Sequence, residues 1–135
     1  MKTKPILSEH ETALMMAAAV AEAKKHGWPV AISIVDDGGH LLAMTRLENN
    51  APMKAVFSPE KANTAAISGL ESKLFEDIVA SGRNAFLSAP LVTSLSGGLP
   101  VLVNGQIAGA IGASGVTAEQ DMQVAKAGLA ALTNV

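Results

Sequence analysis

The sequence predicts an α+β protein in which helices cover an antiparallel sheet. Two pairs of apolar, β-prone runs are each joined by turn-forming residues: 30–35 and 40–46 around Asp36-Asp37-Gly38-Gly39, and 99–103 and 106–111 around Asn104-Gly105. Asn-Gly between apolar runs is the strongest short hairpin signal, because both central residues must take positive φ. Helical patterns opened by capping boxes lie near both ends of the chain. Hairpins in place of βαβ crossovers make the sheet antiparallel, and its apolar faces then need helices over them.

In chain order, Ser8-Glu9-His10-Glu11 forms the first capping box, with Ser8 capping an early N–H and Glu11 reaching back. The apolar stripe expected of this helix is Leu14, Ala17, Ala18 and Ala21, with Gly27 as its stop and Pro29 forbidding continuation. The first hairpin follows, and then a loop over 47–57. Ser58-Pro59-Glu60 is read as the start of a second helix, in which Ser caps, Pro takes the first helical position and Glu meets the positive end. That helix carries Ala62, Ala65 and Ala66 and ends near Ser68-Gly69, and a shorter helix covers 71–80 before Gly82. Ala89-Pro90 and Ser96-Gly97-Gly98 are turn chemistry. After the second hairpin, Thr117-Ala118-Glu119-Gln120 opens the last helix, with Ala118, Met122, Ala125, Leu129 and Leu132 as its buried stripe.

A chain of 135 residues is one domain, expected to span 1–135, since halves would bury too little core. With 3% aromatics, the core must be built from Ala, Val, Leu, Ile and Met. A net charge of −2 without a basic patch argues against nucleic acid as a partner. The Ala-rich stretch over 12–23 is too short to span a bilayer. Because the N-terminus turns acidic before any long apolar run, the expected location is the cytoplasm. Cys is absent, which removes disulfides, thiolate metal sites and a Cys nucleophile.

Several segments together resemble one family. They are Ile34-Val35-Asp36-Asp37-Gly38-Gly39-His40 through Arg46, Ser58 to Ala66 with Lys61-Ala62, Gly97-Gly98-Leu99-Pro100-Val101, and Ile107-Ala108-Gly109-Ala110-Ile111-Gly112 with Ser114-Gly115 and Glu119-Gln120-Asp121. Their order and spacing resemble the GlcG/HbpS family, which also supplies the C-terminal domain of PduO-type corrinoid adenosyltransferases. The resemblance implies a profilin-like sandwich with a five-stranded antiparallel sheet. It also implies homo-oligomers from dimers to octamers and, in some members, haem binding.

Three scattered histidines without ligand spacing do not make a zinc site. His40, ending the Asp-Asp-Gly-Gly turn, is a candidate haem-iron ligand or anion donor, against the plainer reading of a turn histidine bonded to backbone. His10, in the first turn of the first helix, is the other candidate haem-iron ligand by resemblance, against a solvated helix-start histidine. Arg46 suits a carboxylate or propionate in bidentate fashion, against a surface ion pair. Lys61, expected just inside the second helix's start, suits an anion, against ordinary solvation. Gly97, Gly98 and Pro100 read as a tight turn or, by resemblance, as part of a pocket wall with the 83–96 loop and its Phe86, Leu87, Leu91 and Leu95. Asp121 and Glu119 are explained by capping alone. No Gly-x-Ser-x-Gly elbow is present, and Asp36 and Asp37 point to opposite faces if they lie on a strand. The expectation is therefore an oligomeric accessory protein that binds haem or a related tetrapyrrole or corrinoid. The alternatives are an enzyme of small organic acids and an assembly module without a ligand.

Overall fold

A computed structural model describes residues 1–132; the last three residues of the expected domain lie outside the described residues. Helix α1 (Glu9–His26) leads to strands β1 (Ala31–Asp36) and β2 (Leu41–Arg46), then to helices α2 (Pro52–Ser68) and α3 (Lys73–Ala80). A 3₁₀ turn at Asn84–Ser88 precedes strands β3 (Gly98–Val103) and β4 (Gln106–Ser114) and helix α4 (Ala118–Ala130). The strands form one antiparallel sheet in the order β2-β1-β4-β3. The five strands implied by resemblance are thus corrected to four among the described residues. The segment between α3 and β3 forms the 3₁₀ turn and loop, where Leu91 takes φ +62° and no ladder forms.

Side-chain alternation divides the sheet between its two helical layers. Ile32, Ile34, Ile111 and Ala113 face α1 and α4, packing with Met15, Ala19, Met122 and Ala125. Val35 and Ala110 face α2, against Ala62, Ala65 and Ala66. Small residues bring α2 close to the sheet. A side chain at Gly112 would meet Ser58 O at 2.5 Å and Ala62 N at 2.7 Å.

Both capping boxes form, at Ser8 with Glu11 and at Thr117 with Gln120. Gly27 closes α1 at φ +69°, and Asn104 and Gly105 take the positive φ values their hairpin requires (51° and 78°). Two helix expectations need correction. The buried stripe of α1 is Thr12, Met15, Ala19 and Ala23, not the run from Leu14, which is exposed. An alanine-rich helix offers several stripes of similar apolarity, and the bulk of Met15 against the sheet selects one. Helix α2 also starts six residues before Ser58, with Pro52 in its first turn. Pro59 therefore lies inside it, and Ser58 is no cap. Its hydroxyl is fully buried, 2.8 Å from Ser33 Oγ, and donates to Gly112 O at 3.2 Å. Pairing the buried hydroxyls with each other and with the sheet offsets their desolvation.

Candidate functional site

The residues singled out in the sequence do not converge on one pocket. His40 and Arg46 flank opposite ends of β2, about 20 Å apart at the rise of an extended strand. His40 is a turn histidine: its backbone N–H donates to Asp36 Oδ1 at 2.9 Å, and its side chain is 83% exposed with Nδ1 3.2 Å from the same oxygen. Slight burial would raise the pKa of Asp36. The N–H groups of His40 and Gly38 outweigh it and hold the carboxyl below its ordinary value.

Arg46 forms no ion pair among the described residues. Its Nε and Nη2 donate to Asn50 O at 3.3 and 2.7 Å. This pins the loop into α2, where Asn50 is buried and its Nδ2 donates to Pro29 O and Ser114 O. Arg46 also borders a cleft of about 510 Å³ with Lys24, Trp28, Leu47 and Glu48.

Lys61, Gly97 and Gly98 do come together, but in a packed interior. Lys61 is 4% exposed, and its Nζ donates to Asp121 Oδ2 at 2.9 Å and to Ala113 O at 3.1 Å. The other oxygen of Asp121 accepts from Val116 N–H at 3.1 Å. One buried ion pair thus ties the middle of α2 to the first turn of α4, past the end of β4. Burial pushes Lys61 below and Asp121 above its ordinary pKa, and their mutual attraction only partly offsets this. The expected anion site at a helix start is corrected, since Lys61 lies mid-helix and is already engaged by Asp121. Asp121 is the residue that capping logic undervalued: its partner sits 60 positions earlier, and no local pattern joins them.

The strand expected over 99–103 forms as β3 and begins one residue earlier, so of the expected turn Gly98 lies in the strand and Gly97 just before it. Gly98 N–H donates to Ser72 Oγ at 2.8 Å, and a side chain there would lie 2.1 Å from Lys61 O. Gly97, at φ +130°, would place one 2.6 Å from Ala113 O. These glycines let the backbones of α2 and the sheet touch. Pro100 borders a shallow cleft of about 400 Å³ with Leu102, Lys126 and Leu129. Of the side chains expected to form a pocket wall with them, Phe86 stacks obliquely on Phe75 (5.5 Å), while Leu87 and Leu91 stand exposed.

His10 lies on the exposed side of the first turn of α1, beside a cleft of about 260 Å³. The cleft walls include Ile6, Leu7, Leu14, Val103 and Leu132. The neighbouring Glu11 is committed to the Ser8 cap, whose hydrogen bonds hold its carboxyl below the ordinary range. The arrangement is an imidazole beside the Glu11 carboxylate at the edge of a cleft that mixes aliphatic side chains with polar groups. No helix among the described residues is long and apolar enough to cross a membrane, and no group of three or more acidic or histidine side chains there could hold a metal ion.

Comparison with known proteins agrees with the residues that carried the resemblance. A family model described as haem degrading protein HbpS-like matches residues 7–130. The protein GlcG of Escherichia coli K12 is 54% identical over 114 residues, covering 84% of this chain and 85% of that one. Among solved structures, Klebsiella pneumoniae protein ORFY superposes with a TM-score of 0.91 at 27% identity, covering 100% of this chain and 96% of that one. The PduOC:haem complex superposes with a TM-score of 0.85 at 29% identity, covering 95% and 96%.

Proposed function

This chain belongs to the HbpS-like family, and on that premise we propose that it is a cytoplasmic, homo-oligomeric binding protein rather than an enzyme, whose ligand is haem or a related tetrapyrrole or corrinoid. The observation that carries the reading is His10 at the edge of a cleft walled by Ile6, Leu7, Leu14, Val103 and Leu132. Its imidazole would ligate the iron, and Ile6, Leu14, Val103 and Leu132 would lie against the macrocycle. His40 is the weaker candidate, because its ring stands in solvent beside Asp36 with 83% of its side chain exposed. A slot of about 260 Å³ falls below the range that encloses a drug-sized ligand. One protomer therefore covers one edge or face of the macrocycle and leaves the rest open. Similarity to a PduOC domain solved with haem supports the ligand class. When bound, haem would supply redox or ligand-exchange chemistry at its iron; the chain's own part is to ligate, orient and shield it.

The test is a hemin titration of the tag-free protein followed by absorbance in the Soret region. A saturable, red-shifted band that His10→Ala abolishes and His40→Ala leaves intact is the expected result. Loss in His40→Ala alone moves the site to the turn, and a weak, unsaturable band in all three proteins sinks the haem reading.

A further inference from the structure

We propose that the outer edge of β2, together with the adjoining exposed side of α2, is the surface by which a second copy of this chain docks, antiparallel about a twofold axis near Met44. The inference rests on the homo-oligomer reading above and names the face that serves it.

The two edges of the sheet are built differently. Ala113 N–H donates to Gly97 O directly across β4 and β3. Counting in twos along that register, Pro100 falls where backbone groups point away from β4. Its missing N–H costs the ladder nothing and denies a donor to any added strand. On the other side of the sheet, Leu47 N–H donates to Val30 O in register with β1 and β2. By the same count Thr45 and Ala43 bond β1, while Met44 and Arg46 turn their N–H and C=O groups outward. No proline or inward-pointing charge guards this edge. Its one irregularity, the bulge opposite Ile34/Val35, lies at the turn end of the strand.

The exposed side chains match this open edge. Leu41, Leu42 and Met44 of β2 are 55%, 43% and 38% exposed, because α2 does not reach over the edge strand. Asn63 donates to Gly39 O, so that side of α2 leans over the first hairpin. Stepping back along the same stripe from Ile67 reaches Val56 and Met53, which are 62% and 58% exposed. Six half-exposed apolar side chains offer on the order of 500 Å² per protomer. With the strand backbone added, this approaches the roughly 800 Å² per partner of a standard interface.

A second copy suits this face better than an unrelated peptide because the pairing is self-complementary. With Met44 opposite its own copy, Leu42 meets the aliphatic stem of Arg46. The centre of the pair is then apolar on both sides. A closed twofold contact of this kind uses up the edge and stops further addition.

The absence of cysteine makes the test clean. In an antiparallel hydrogen-bonded pair the facing Cα atoms lie about 5.5 Å apart, within disulfide reach. Met44→Cys should form a covalent dimer in high yield under mild oxidation, while Leu102→Cys on the Pro100 edge stays uncrosslinked. Light scattering of the unmodified chain runs in parallel. If that chain is oligomeric but Met44→Cys fails to crosslink, or crosslinks no better than Leu102→Cys, the β2 surface is wrong and the oligomer reading stands. If the unmodified chain is a monomer at micromolar concentration, the oligomer reading itself falls.

Discussion

Replacing Asp121 with alanine isolates the energetics of the pair that joins the two helical layers. The carboxylate is 3% exposed and holds Lys61 Nζ at 2.9 Å and Val116 N–H at 3.1 Å. Asp121→Ala leaves the Lys61 ammonium buried with Ala113 O as its one remaining partner at 3.1 Å. Breaking a buried pair from one side costs about 3–5 kcal/mol, because the surviving charge keeps its desolvation penalty and loses its partner. The orphaned Val116 N–H and the lost anion at the α4 N-terminus keep the expectation above the lower end of that range. A loss of about 4 kcal/mol is a large part of the 5–15 kcal/mol that separates folded from unfolded domains. In urea, with a slope of about 2 kcal/mol/M, the midpoint should fall by about 2 M at matched protein concentration. The double variant Lys61→Met with Asp121→Leu removes both charges and should recover most of the loss, since a packed apolar pair is often neutral or better. A loss below about 1 kcal/mol for Asp121→Ala, or no recovery in the double variant, would refute the account of this pair as buried and mutually dependent.

The same pair gives the stability a pH dependence. Burial lowers Lys61 below 10.5, so on approach to that value the folded chain gives up a proton that the unfolded chain keeps. The Lys61 contribution is therefore present above 10.5 and lost as pH falls through the lowered folded value; Lys61→Met should flatten this slope in urea midpoints taken across the alkaline range. Burial raises Asp121 above 3.8, so its contribution is present below that value and lost as pH rises through the raised one; acid-range midpoints of Asp121→Asn should lack the feature. Gly98→Ala should cost about 2–3 kcal/mol in the same melts, because its methyl would lie 2.1 Å from the Lys61 carbonyl oxygen, a backbone atom that moves only if α2 moves. Gly27→Ala meets open space and pays only for φ +69°, about 1 kcal/mol, so equal losses at the two positions would contradict the close-approach account.

Local chemistry was enough wherever a feature needed only near neighbours in the chain. Ser8 with Glu11, Thr117 with Gln120, Gly27, and the Asn104-Gly105 turn each form as expected, because cap and turn energies involve residues at most four apart. The family was legible as well, since it rests on the order of short motifs along the chain. Three features were not. Ser58-Pro59-Glu60 carries every mark of a helix start, yet α2 begins at Pro52, because tertiary packing of Ser58 on Ser33 and Gly112 outweighs a local preference. Alanine-rich α1 has no single stripe that sequence could choose. Lys61, read as an anion site, and Gly97 and Gly98, read as a turn or pocket wall, instead pack against one another in the interior, which no local pattern foretells.

The sequence by itself determined the α+β class, the hairpins and caps, the family and the absence of cysteine chemistry, because each depends on residue type and short-range order. Only the tertiary structure decided that Lys61 pairs with Asp121 across 60 positions. It alone set His10 beside a cleft, left His40 in solvent, and made one sheet edge closed by Pro100 and the other open at Met44. Those outcomes depend on which distant surfaces meet and how much water they exclude. The free energy of a charge or a backbone donor is fixed by that burial and not by its neighbours in the chain.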